Sequence, residues 1–126
     1  MKASQLIAII PSPDLYMGLG SIVYALTKLD GRLQLEEQQT VKELLANIPH
    51  GDVALYTFFL RENTDETVDE AYAFGMRRLT DKRAELNEAT KKKFVDMLIR
   101  VADAHDGISK KEQLFIRQFR RALRRL

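Results

Sequence analysis

Ala25-Leu26-Thr27-Lys28-Leu29-Asp30-Gly31-Arg32-Leu33-Gln34-Leu35-Glu36-Glu37 ends one apolar helical pattern, turns on Asp-Gly, and starts another. The same grammar returns as Val101-Ala102-Asp103-Ala104-His105-Asp106-Gly107-Ile108-Ser109-Lys110-Lys111-Glu112. Aligning Glu37 with Glu112 pairs Val41 with Ile116, Leu44 with Phe119 and Ile48 with Leu123. It also pairs Leu33 with Ile108. Upstream, after a one-residue slip, Leu19, Ile22 and Ala25 pair with Val95, Leu98 and Val101. The chain therefore reads as two pseudo-repeated helical hairpins.

Outward from the repeats, every segment carries helical signals. Ser12-Pro13-Asp14 gives a serine N-cap, proline at the first helical position and an acid at the positive end of the dipole. A second helix carries Leu35, Val41, Leu44, Leu45 and Ile48 and ends at Pro49. Asp52 caps a third, Val53–Leu60, whose apolar residues on nearly every side assign it to the centre of the bundle. Thr64 or Asp65 starts a fourth, with an inward stripe of Val68, Ala71, Tyr72, Gly75, Met76 and Leu79. Thr80–Leu86 reads as a short link, Asn87 as the cap of a fifth helix, and Ser109 as the start of the last. No stretch alternates as a strand would. The expectation is an all-α, compact bundle of about six to seven helices, with residues 1–126 forming a single domain.

Composition agrees and excludes several functions. The chain has 126 residues, 45% hydrophobic and 30% charged, as globular domains do. Without cysteine there is no disulfide, thiolate metal site or thiol catalysis. No apolar run approaches the roughly 18 residues that cross a bilayer. The apolar run Leu6–Ile10 is too short for a secretory signal and meets Pro11-Ser12-Pro13 where cleavage would fall, so a cytoplasmic chain is expected.

The repeated Asp-Gly-x-Leu/Ile-x-x-x-Glu pattern resembles the TerB-like family, named for tellurite resistance. The resemblance runs from about Leu15 to Phe119, and the second motif departs from the first by one residue missing between Gly107 and Ile108. It implies a bundle of about seven helices and a role in resistance to tellurite and other stresses, in membrane-linked, metal-responsive complexes. A related domain precedes the J domain of a membrane-anchored co-chaperone. The nearest tripeptide here, His50-Gly51-Asp52, lacks the proline of a J domain.

Two sets of residues are candidates for function. Asp30, Glu37, Asp106 and Glu112 are hard oxygen donors, in turns that imitate the second half of an EF-hand loop. Loop positions 1 and 3 would be Leu26 and Lys28, or Ala102 and Ala104, so neither turn holds calcium by itself. A divalent cation shared between the hairpins is one reading. The other, which is favoured, is purely structural: left-handed caps at Gly31 and Gly107 and a capping box over Ser109-Lys110-Lys111-Glu112.

The second set lies on the last helix. From Ser109 onward there are seven Lys or Arg against Glu112 alone, so this segment carries +6 and the preceding residues −4 of the overall +2. Arg117, Arg120, Arg121, Arg124 and Arg125 fall at i, i+3, i+4, i+7 and i+8, on one helix face. The opposite stripe is Ile116, Phe119, Leu123 and Leu126. Such a face is either solvated surface, an internal brace for the acids of Asp65–Glu70, or a docking strip for an acidic protein or an anionic membrane. Nucleic acid is disfavoured because aromatic residues are not interleaved.

Catalysis is the weakest class. His50 and His105 form no zinc pair, no Glu-x-x-His occurs, and Gly18-Leu19-Gly20 lies inside a helix, where it favours close packing over phosphate binding. The sequence thus points to a non-enzymatic interaction module without a resident cofactor.

Overall fold

In the computed structural model, residues 11–31, 35–104 and 106–126 are described. They form six α-helices: α1 Pro13–Lys28, α2 Leu35–Ala46, α3 Gly51–Asn63, α4 Val68–Asp81, α5 Glu88–Ala102 and α6 Lys110–Arg124. A 3-10 turn, Arg83–Glu85, links α4 to α5, where the sequence indicated a short connection. No strand occurs among the described residues. The run Leu6–Ile10, the anchor Leu33 and His105 lie outside them.

The centre of the bundle is α1. From Gly18 to Thr27 every residue is buried, and α1 packs against α4, α3 and α5. Small residues make this enclosure possible. A β-carbon on Gly18 would stand 2.9 Å from the Gly75 carbonyl oxygen, so α1 and α4 touch almost backbone to backbone. The polar residues of α1 are satisfied inside the core. Ser21 Oγ donates to the Ala71 carbonyl at 2.7 Å, Thr27 Oγ1 to the Tyr24 carbonyl at 2.8 Å, and Tyr24 Oη to the Glu66 carbonyl at 2.7 Å. Each bond removes the penalty of burying a hydroxyl.

This corrects the expectation that Val53–Leu60 is the central, most buried segment. Within α3 only Gly51, Ala54, Thr57 and Phe58 are buried, while Tyr56 is 68% and Leu60 40% exposed. Apolar composition all round a helix does not bury it. The helix with small residues on several faces is the one that neighbours can surround.

Three helix starts also differ from expectation. α3 begins at Gly51 after a left-handed His50 (φ 54°), and Asp52 sits exposed in its first turn instead of capping it. α4 begins at Val68, not after Thr64 or Asp65. Thr64 Oγ1 donates to the Leu60 carbonyl at the end of α3, Asp65 turns the chain at φ 51°, and Thr67 with Glu70 forms a full capping box. Ser12 occupies the N-cap position of α1 without a side-chain cap; its backbone N–H donates to Glu85 Oε1 at 2.5 Å. Asn87, by contrast, caps α5 as read, accepting from the Thr90 N–H at 2.8 Å.

The repeat is visible in burial. Val41 and Ile116, Leu44 and Phe119, Leu19 and Val95, Ile22 and Leu98, and Ala25 and Val101 are all core residues. Gly31 (φ 81°) and Gly107 (φ 77°) both adopt the left-handed conformation, in the turns beyond α1 and α5.

Candidate functional site

The four acids occupy equivalent places in the two repeats. Asp30 and Asp106 are exposed in the turns, and Asp106 is itself left-handed at φ 54°. Glu37 and Glu112 are buried in the first turns of α2 and α6. Glu112 completes a capping box: its Oε1 accepts the Ser109 N–H at 2.9 Å, and its own N–H donates to Ser109 Oγ at 3.1 Å. Glu37 and Asp106 are likewise engaged within the chain. Among the described residues, no three His, Cys, Asp or Glu side chains gather as a metal site would need. The local geometry therefore gives Glu112 a capping role without invoking a cation.

The four arginines of α6 and Arg125 at its C-cap are all exposed, and none forms an ion pair among the described residues. The acids between α3 and α4 look elsewhere. Asp65 pairs with Lys28, Glu66 with Arg61 at 3.3 Å, and Glu70 with the Thr67 cap. Asp14, at the start of α1, faces Arg78 and Lys82 at 3.8 Å each. The internal-brace reading of the basic face is thus not what the structure shows.

The arginine face is divided by the neighbours of α6 into two rows. Arg120 and Arg124 border a groove against α5, facing Lys91 and Lys92 over a floor of Val95 and Leu123, with Glu88 and Asp96 at its rim. Arg117, Arg121 and Arg125 border the other side, toward α4, beside Tyr72, Leu114 and Gln118. That second groove continues past Leu114 to Val68, Asp69, Lys111 and Phe115. α4 and α6 meet there through Tyr72 and Phe115, stacked edge to face with ring centroids 5.4 Å apart. Burial raises the Tyr72 hydroxyl above its usual pKa.

Leu114, 61% exposed, is the member of this surface that the inward-stripe reading passed over. The signal was available: Leu114, Arg117, Gln118, Arg121 and Arg125 recur at helical spacing on the face opposite Ile116 and Phe119. The His50 ring packs on Tyr16 with centroids 5.7 Å apart. No helix among the described residues is long and apolar enough to cross a membrane.

No curated protein and no solved structure matches the chain. A family model does: Tellurite resistance protein TerB, over residues 17–124, a span that takes in α2 to α6 entire, α1 from its second turn onward, and both Asp-Gly turns. The all-helical bundle, the paired turns and this match agree, and the chain belongs to the TerB tellurite resistance family.

Proposed function

We propose that this TerB domain is a non-enzymatic interaction module of the cytoplasm, serving a tellurite- or stress-response setting by docking an anionic partner on α6. The observation that carries this reading is the row of exposed arginines that form no ion pair among the described residues. Charge placed on a surface without a stabilising counterpart contributes little to folding. It does attract oppositely charged partners and speeds their encounter.

The helix dipole accounts for some of these residues but not all. Arg121 and Arg124 stand in the last turn, where cations interact favourably with the negative end. Arg117 is mid-helix, beyond the reach of that effect, as is the exposed Leu114.

The test is a pull-down from lysate and a sedimentation assay with anionic vesicles, using the intact chain and a variant with all five arginines changed to glutamine. The variant should melt like the parent. It should lose the partner that the parent holds, and the parent should release it in high salt, where the screening length shrinks from about 8 Å to about 3 Å. Retention by the five-fold variant, or binding indifferent to salt, would overturn the reading.

A further inference from the structure

We infer that the groove between α4 and α6 is a peptide site, and that its occupant is an acidic amphipathic segment of another protein, apolar at one end and acidic at the other. This rests on the docking reading above and goes further by fixing the place, the kind of partner and its direction.

Three observations support it. The first is shape. Tyr72 and Phe115 meet edge to face between the helices, leaving a trough above them. Along α6 the trough extends from Lys111 to Arg125, about 21 Å at 1.5 Å per residue, which suits a helix of about four turns or a shorter extended peptide. The second is the mixture of side chains. Leu114 stands exposed nearer the Lys111 end, on the wall shared by the two halves of the trough, an apolar anchor point beside a charged wall. An amphipathic helix laid in a groove uses such a combination.

The third observation is polarity. At the end near the start of α4, the trough is lined by Leu29, Val68 and Phe115, and its charges, Asp69 and Lys111, oppose each other. At the far end Arg117, Arg121 and Arg125 stand together without an acid. A ligand would therefore place apolar side chains at the first end and carboxylates at the second. A membrane fits less well. A flat bilayer does not reach rings at the bottom of a trough, and Asp69 would face lipid phosphates with like charge. The α5 side of the arginine face is also less suited, because Glu88 and Asp96 partly neutralise its cations.

The test is selection of a displayed random 16-residue peptide library on the full chain, followed by anisotropy titration of the enriched peptides. Enriched sequences should carry apolar residues in one half and Asp or Glu in the other. Leu114→Glu should weaken them by about tenfold or more, the loss typical of an apolar anchor replaced by a repelling charge. Leu114 is exposed, so this variant should melt like the parent. Changing Arg117, Arg121 and Arg125 to glutamine should weaken binding comparably and flatten its salt dependence, while Arg120→Gln with Arg124→Gln should leave it within about twofold. Acidic peptides that survive Leu114→Glu but fail on the Arg120/Arg124 variant would overturn the groove while leaving docking by charge intact. No enrichment of acidic peptides, with binding to phosphatidylserine vesicles instead, would overturn the peptide in favour of a membrane. No enrichment and no vesicle binding would defeat both readings.

Discussion

The position that a β-carbon on Gly20 would occupy lies 2.2 Å from the carbonyl oxygen of Ala54, so α1 and α3 are pressed together at a distance only glycine allows. Gly20→Ala should force the helices apart and cost about 1–3 kcal/mol. Gly107→Ala meets nothing within 4 Å and suffers only from its φ of 77°, so about 1 kcal/mol is expected there. Denaturant midpoints of the two variants check the order. A larger loss at Gly107 would mean that α1 and α3 are not so close.

The location of the core makes a second contrast. Phe58 and Leu19 are fully buried, whereas Leu55 and Phe59 only pack against the core from its edge. Phe58→Ala should cost about 3–5 kcal/mol and Leu19→Ala about 2–5. Leu55→Ala should be milder than Leu19→Ala by about 1 kcal/mol or more, in proportion to the area it leaves in water. Equal losses would restore α3 to the centre.

Glu112 separates capping from cation binding. Glu112→Ala should cost about 1 kcal/mol through the lost cap, and Glu112→Gln less, since an amide oxygen still accepts the Ser109 N–H. Both losses should be the same with EDTA or with millimolar calcium. A penalty that grows several-fold only when the divalent cation is present would show that the acid is a ligand.

Alkali should loosen the fold. Burial raises the hydroxyls of Tyr16, Tyr24 and Tyr72, and the hydrogen bond to Asp65 raises the exposed Lys28 ammonium. In the unfolded chain tyrosine loses its proton near pH 10, before the folded chain does. The contribution is therefore whole below about pH 10 and is lost as pH rises through the higher folded values. Urea midpoints at pH 8 and pH 11 should show the fall. Tyr72→Phe should reduce it, because that ring keeps its contact with Phe115 and has no proton to lose. A midpoint unchanged between the two pH values would remove the claim.

The parts of the fold legible in the sequence are those set by local chemistry. A serine followed three residues later by glutamate fixes the start of α6, asparagine fixes that of α5, and the repeat names its own core pairs. What stayed hidden depends on which surfaces meet. Ser21 and Thr27 look too polar for the middle of a protein until the carbonyls of Ala71 and Tyr24 are seen to receive them. Tyr56 looks too apolar for its exposure. The arginines of α6 could be placed on one face by counting, but only the flanks of α4 and α5 divide them into two rows with different neighbours.

The central position of α1 sets a timing problem for the ribosome. Ser21 must wait for Ala71, 50 residues later, before its hydroxyl has an acceptor. At about 5–20 residues per second, that is roughly 3–10 seconds of translation. Throughout it, the helix that will be the most enclosed in the finished protein is the one most open to solvent, nascent neighbours and proteases. Chains arrested before α4 should be cleaved readily within α1. Once α4 and α5 have emerged from the exit tunnel, the same bonds should become resistant.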